Sequence, residues 1–448
     1  PGRRPEPAHR APGAAPKPPR GPPLAPEERE EWLGVLRRDW SALRGAPAEV
    51  LADRELVSLA LQQSWKALQY AAEGLRADPE LVILAVGQSW WALEHASGEL
   101  RADRKVVSEA VRQSSWALEF ASEELRADRV LLLEAVRKDG RALRHAASEL
   151  HADRELVLEA VRQHAGAFAF ASAELRADSE VALEALRMDG AALGVASSRL
   201  RADRAFVLEA VAVAGSALEH AHAELRRDVD VVTEAVCQDG EALRFASEDL
   251  RGTYEVVLDA VRQNGEALRF ASDELREDSD LALEAVRSSG FALRYVPAGL
   301  RNADGRKVYE DVALEAVQQT WEAVEFAVAL NPEAMLEAVR QDWRAILHLL
   351  ARKPPPDAAL LTELAAANPG VLRAGPLRSS RDVALAAVRH DGLALRHASA
   401  TLRADRALVA EALRQHPDAL WQAAPALQRD PELLEARRES LGCGAPAE

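Results

Sequence analysis

Residues 102–126 read ADRKVVSEAVRQSSWALEFASEELR, and the same 25-residue sentence returns in register, without a gap, ten times between residues 52 and 301. Leu75, Leu100, Leu125, Leu150, Leu175, Leu200, Leu225, Leu250, Leu275 and Leu300 all hold one position of it, and alanines from Ala60 to Ala285 hold another at the same interval. Self-similarity at a fixed period of this length marks a repeat architecture, in which each unit is too small to bury its apolar face alone and neighbours stack to do so.

Within the copy, Asp103 offers the short acceptor side chain preferred at a helix N-cap, and Val106, Val107, Ala110 and Val111 follow at helical spacing. Ser114 stands where other copies have Asp139, Asp189, Asp239 or Asn264, a second set of N-cap residues, and Ala117, Leu118 and Ala121 form a second apolar stripe. Ser122 to Arg126 then read as a tight connection, with Leu125 plugging the gap before Asp128. Isolated helices shorter than about 12–15 residues are marginal in water, so stacking must supply the stability. The expected fold is all-α: an α-solenoid, a superhelical array of about fifteen 25-residue two-helix repeats.

The register divides the chain. Residues 1–28 are a Pro/Ala-rich basic N-terminal tail, 29–301 are regular solenoid repeats that include a partial unit at 30–51, and 302–378 are irregular or degenerate copies with an insertion around Asn302–Glu310. Residues 379–428 return to register as final regular repeats, and 429–448 form a C-terminal cap and tail. The insertion is expected to bend or jog the stack.

The segment EVVLDAVRQNGEALRFASDELR at 255–276 and its sisters resemble the helical repeat family of single-celled eukaryotes known as domain of unknown function 4116. The resemblance runs from about 50 to 428 and agrees in register, length and both N-cap positions. Trp at several positions held elsewhere by Gly departs from it. The resemblance implies an α-helical repeat fold and no assigned activity.

Composition narrows the function. The chain is 48% hydrophobic but only 5% aromatic, which suits closely packed small helices, and no charge-free apolar stretch of about 18 residues reads as a membrane span. Cys237 and Cys443 have no metal-ligand spacing, so no disulfide framework, metal site or cofactor is expected. The net charge of −16 opposes attraction to phosphate backbones, although residues 1–25 alone carry +4 through Arg3, Arg4, Arg10, Lys17 and Arg20 against Glu6.

In a solenoid each repeat position becomes a stripe along one face. The first residue of the second helix is Gly at 140, 190, 215, 240, 265, 290 and 392, but Trp at Trp40, Trp65, Trp90, Trp321 and Trp343, which reads as a position where Gly is permitted and not required. Trp91 and Trp116 lie one residue further on, and Leu59 and Leu84 replace the glutamates of later copies, as at Glu109 and Glu134. Exposed aromatics mark recognition surfaces, so a partner surface is expected over residues 32–95; the competing reading packs each Trp on its neighbouring corner. Arg76, Arg101, Arg126, Arg176, Arg201 and Arg226 form a cationic stripe that could follow RNA phosphates, against the plainer reading that they pair with the nearby N-cap aspartates. A third column alternates Tyr70, Phe120, Phe170, Phe245, Phe270 and Tyr295 with His95, His145, His220 and His397, and a fourth sets Glu109 three residues before Arg112 as a helical ion pair.

No phosphate-binding glycine loop, nucleophile elbow or His-Glu-x-x-His arrangement is present in the sequence. The chain is therefore read as non-catalytic: a scaffold or accessory subunit holding other protein subunits of a large assembly, with the RNA-binding repeat protein as the alternative. Nucleic acid is disfavoured as a partner, and membrane association is expected only through partners. The protein is expected to be soluble and intracellular; the missing initiating Met, read as a removed leader or an incomplete sequence, leaves a chloroplast or mitochondrion open.

Overall fold

Asp103 opens its helix by accepting from the backbone N–H groups of Lys105 at 2.8 Å and Val106 at 3.4 Å in the computed structural model, which describes residues 24–441. The α-helix Arg104–Gln113 buries Val106, Val107, Ala110 and Val111 and ends where Ser114 turns to an extended backbone, φ −151° and ψ 131°. Ser114 then caps the next element through Trp116 N–H at 3.3 Å. Both N-caps thus fall where the sequence places them.

The second helix is in most copies not an α-helix. Ser115–Phe120 and most of its counterparts are six-residue 3-10 helices, with five residues in Gly190–Gly194, Trp321–Glu325 and Pro369–Arg373 and an α-helix in Ala345–Leu350. The reason for the 3-10 winding lies in the apolar period. Gly140, Leu143 and Ala146 are buried three residues apart, as are Gly215, Leu218 and Ala221. That spacing matches three residues per turn, whereas an α-helix would rotate these side chains off the seam. The connection is a further short helical turn, Glu123–Arg126, capped by Ser122, with Leu125 buried beneath it. One copy is therefore a ten-residue α-helix, a 3-10 helix and a closing turn.

Copies are joined by backbone as well as by side chains. The N–H of Ser97 donates to the carbonyl of Arg76, Ser122 to Arg101 and Ser247 to Arg226, each at 2.9 Å, so in the regular copies up to Ser272 one closing turn is tied to the one before it. In the first copies the end of the α-helix is tied back too: the Gln63, Gln88 and Gln113 amides donate to the carbonyls of Leu36, Leu61 and Val86 in the preceding copy. These bonds satisfy carbonyls that a helix C-terminus leaves open. Burial of the Val, Leu and Ala stripes supplies most of the stability, about 1.5–3 kcal/mol for each fully buried Val or Leu side chain.

The chain is an all-α solenoid laid down as two units, Pro1–Leu200 and Arg201–Glu448. Among the described residues the first holds seven α-helices of this kind, each followed by a 3-10 helix. It starts with Pro26–Leu36 and Trp40–Gly45, so the partial copy expected at 30–51 is a whole one. The second holds nine and closes on the helix Pro431–Ser440. Inside it, the insertion is a compact turn: Gly305 takes φ 77°, Asn302 and Arg306 bond across it, and Val308 N–H reaches Leu300 carbonyl at 3.1 Å. The Pro/Ala-rich stretch folds as a copy, with Asp357 capping Ala358–Ala367. No helix among the described residues is long and apolar enough to cross a membrane.

Candidate functional site

The first copies of the first unit carry the aromatic residues singled out above, and the structure gathers them into contacts between copies. Trp65 stacks on His95, ring centroids 6.3 Å apart and planes 18° apart, so a residue of the Trp column meets the third column of the next copy. Trp90 stacks on Trp91 at 4.3 Å, and both reach Phe120. Trp116 meets His145 edge-on at 5.5 Å and lies under Arg144. Trp40, Trp65, Trp90, Trp116 and Leu59 are half-buried, as packing on the neighbouring corner requires. Trp91 and Leu84 remain exposed, at 45% and 37%. Trp321 and Trp343 belong to the second unit, half-buried, against His348 and Arg373 respectively.

Two exposed residues of this region escape the column reading. Val35 is 41% and Ile83 43% exposed. The signal for Ile83 was in the helix Pro79–Gln88, PELVILAVGQ, whose sole charged residue is Glu80; a helix apolar on nearly every side cannot bury all of itself in a two-sided stack. Ile83 lines a shallow groove with Gly87, Arg104, Lys105, Ser108, Glu109 and Arg112, so one wall of it is apolar and the other charged.

Six glycines of the Trp column are required where they occur. A Cβ on Gly140 would sit 2.1 Å from the carbonyl oxygen of Ala160, and one on Gly215, Gly240, Gly265, Gly290 or Gly392 would meet the corresponding carbonyl at 2.1–2.6 Å. Those contacts are with backbone of the next copy and cannot be relieved by a rotamer change. The reading of this column as merely permissive is thus corrected: the sterics are set by a residue twenty or more positions downstream.

The arginine stripe also differs from its plain reading. Arg76, Arg101, Arg126, Arg176, Arg201 and Arg226 are half-buried, with Nε atoms that are enclosed and lack an acceptor, and they do not pair with the N-cap aspartates. The residue after the N-cap does so instead. Arg54 reaches Asp78 at 2.8 Å, Arg129 reaches Asp153 at 2.6 Å and Arg204 reaches Asp228 at 2.7 Å, each adding a second carboxylate two residues further on. Arg129 beside Asp153 holds its carboxyl below the usual carboxylate range, helped by the backbone N–H of Leu156. The Glu/Arg column also works between copies: Glu184 binds Arg187 within its helix at 2.9 Å and Arg162 of the previous copy at 3.2 Å. Arg3, Arg4, Arg10, Lys17 and Arg20 of the basic tail, like Cys443, lie outside the described residues.

The family model described as Domain of unknown function (DUF4116) matches residues 78–126, 128–176, 178–226, 203–251, 253–301 and 380–428, more than half of the chain. Each match starts on an N-cap position, from Asp78 to Ser380, and spans two copies of the repeat. No curated protein matches the chain.

Proposed function

The chain belongs to the DUF4116 family, and from that premise we propose that it is a non-catalytic helical-repeat scaffold, an accessory or structural subunit that holds other proteins of a large assembly. The observation that carries this reading is the exposure of Ile83, Leu84 and Trp91 together within a single copy, Pro79–His95, whereas other exposed large apolar residues, such as Val130, Met188, Val229 and Trp421, stand singly in their copies. Apolar side chains left exposed together in a stable fold mark a surface used by a partner, and aromatic residues anchor such surfaces. The long repeated face supplies many weak contacts, so binding energy comes from shape and multiplicity.

The RNA reading stands second. In its favour, arginine recurs at one position of the repeat from Arg76 to Arg226. Against it, those side chains are half sunk into the stack, and a net charge of −16 repels a polyanion.

The test is purification of the full chain from its native source, with mass spectrometry of what accompanies it, beside a Leu84→Glu/Trp91→Ser variant. Stoichiometric proteins lost from the variant, with far-ultraviolet circular dichroism unchanged, support the scaffold. Identical recovery by both forms places the contact elsewhere, and nuclease-sensitive, salt-sensitive material would sink the protein-binding reading in favour of RNA.

A further inference from the structure

In the second unit two arginines meet on one imidazole and a third is bound to the backbone of one of them. Arg396 Nε donates to His397 Nε2 at 3.0 Å, and Arg373 Nε points at the same atom from 3.4 Å. Arg378 donates from Nη2 to the Arg373 carbonyl at 3.2 Å. All three side chains are exposed, while His397 is half-buried.

The repeat explains how this arises. The degenerate copy has a second helix one residue shorter than usual, Pro369–Arg373, and its last position, which in Gly392–His397 is the histidine itself, is filled by Arg373. Arg373 consequently takes the third-column place in the aromatic ladder, its guanidinium 5.5 Å from the Trp343 ring centroid, as His95 lies against Trp65. Arg378 occupies the position of Arg76, since Ser399 N–H binds its carbonyl as Ser97 N–H binds that of Arg76.

The charge around them is unbalanced. The ion pairs of these copies are made by Arg381 with Asp405 and Arg389 with Glu411, and among the described residues none of the three arginines has a carboxylate partner. Burial and the arginines Arg396, Arg373 and Arg378 push the His397 imidazole below its ordinary range, with Asp391 alone acting the other way. A neutral imidazole offers one lone pair, whereas each guanidinium carries five N–H donors. One acceptor shared by two cations leaves most of those donors facing solvent.

We propose that Arg373, Arg378, Arg396 and His397 bind a single dianionic phosphate group, either inorganic phosphate or a phosphomonoester on a protein partner. Planar guanidinium forks match the oxygens of a phosphate, and stacking on Trp343 holds one fork in place before the ligand arrives. The site suits one phosphate and not a phosphodiester chain, because Asp382, Asp391 and Glu363 lie on the same and adjoining copies and would repel its extension. It does not depend on the surface of the first unit.

The experiment follows the His397 imidazole C–H signal of the full chain by NMR, assigned with a His397→Gln variant, during titration at constant ionic strength. The probes are inorganic phosphate, a phosphoserine peptide, its unphosphorylated form and chloride. Saturable shifts with phosphate or the phosphopeptide, and none with the last two, are expected; saturation by phosphate alone identifies a free ion, and preference for the peptide identifies a partner. Arg373→Gln with Arg396→Gln should weaken binding about tenfold or more, the weight of a lost charge-assisted hydrogen bond, while circular dichroism stays the same. No saturable shift, or undiminished affinity in the double variant, overturns the proposal. Displacement of phosphate by an oligoribonucleotide with a steep salt dependence overturns the choice of a single phosphate.

Discussion

The copies that open the first unit carry Trp where most later copies, from Gly140 on, carry Gly at the first residue of the second helix, and the exchange is a change of packing. Where Gly140 begins the second helix, that helix lies against the Ala160 carbonyl of the next copy with no room for a side chain. Where Trp65 begins it, the indole stacks on His95 instead. The glutamine at the end of the α-helix serves both kinds of copy: Gln238 and Gln263 accept from the N–H of Gly215 and Gly240, both at 2.7 Å, and Gln63 accepts from the N–H of Trp40 at 3.2 Å. One repeat sequence therefore supports two seams, a backbone seam closed by glycine and an aromatic seam that leaves apolar surface such as Trp91 at the rim.

The strongest way to break this contrast is to put the bulky residue into the backbone seam. Gly265→Trp would place a Cβ 2.1 Å from the Ala285 carbonyl oxygen, and the two copies would have to separate. We expect a loss of about 3 kcal/mol, the upper end of the range for overpacking, read as a lower urea midpoint with faster amide exchange in residues 254–288. A variant as stable as the parent would show that the seam is plastic and that the two classes of copy do not exist.

The reverse exchange gives a smaller effect whose sign is decisive. If Trp65 were only a decoration on a glycine seam, Trp65→Gly would be neutral or stabilising. If the aromatic seam is a packing of its own, the variant loses the Trp65–His95 stack, worth about 0.5–1.5 kcal/mol, and opens a gap that the backbone does not close. We expect destabilisation of about that size in thermal melts with helicity retained.

These effects also mark what could be read from the chain alone. Asp103 and Ser114 were legible as caps because a cap is a local event, decided by one short side chain and the N–H groups two and three residues on. The buried run Val106, Val107, Ala110 and Val111 was legible for the same reason. The 3-10 winding was present as the three-residue spacing of Gly140, Leu143 and Ala146, but so short a stripe fits an α-helix nearly as well until its exposure is known. Glycine at 140 could not be read as a requirement, because its reason is the Ala160 carbonyl, a contact that exists only once the copies are stacked. The same holds for Arg54 and Asp78, which are 24 residues apart, and for Arg373, which enters its cluster through the loss of one helical residue. Local chemistry was visible in the repeat, and chemistry between copies waited for the stack.

The ion pairs between copies sharpen the comparison from the other side, because they run through both kinds of copy. Arg54–Asp78 lies in the aromatic region and Arg129–Asp153 beside the first glycine seam, with contacts of 2.8 and 2.6 Å. The Asp153 carboxyl is held below its ordinary value of 3.8 by Arg129 and by backbone N–H groups. A depressed carboxylate contributes stability that is complete above 3.8 and disappears as the pH falls through the lowered value. Arg129→Met should therefore lower the melting temperature only slightly at neutral pH and low salt, by less than either exchange at the seam, since exposed pairs are weak and screened. The gap between variant and parent should close on acidification, when Asp153 is protonated in both, and also at high salt. Arg54→Met should behave in the same way. Matching shifts would confine the difference between the two regions to the first residue of the second helix, whereas a larger shift for Arg54→Met would mean that the aromatic region is also the looser one, leaning on its ion pairs because its backbones do not meet.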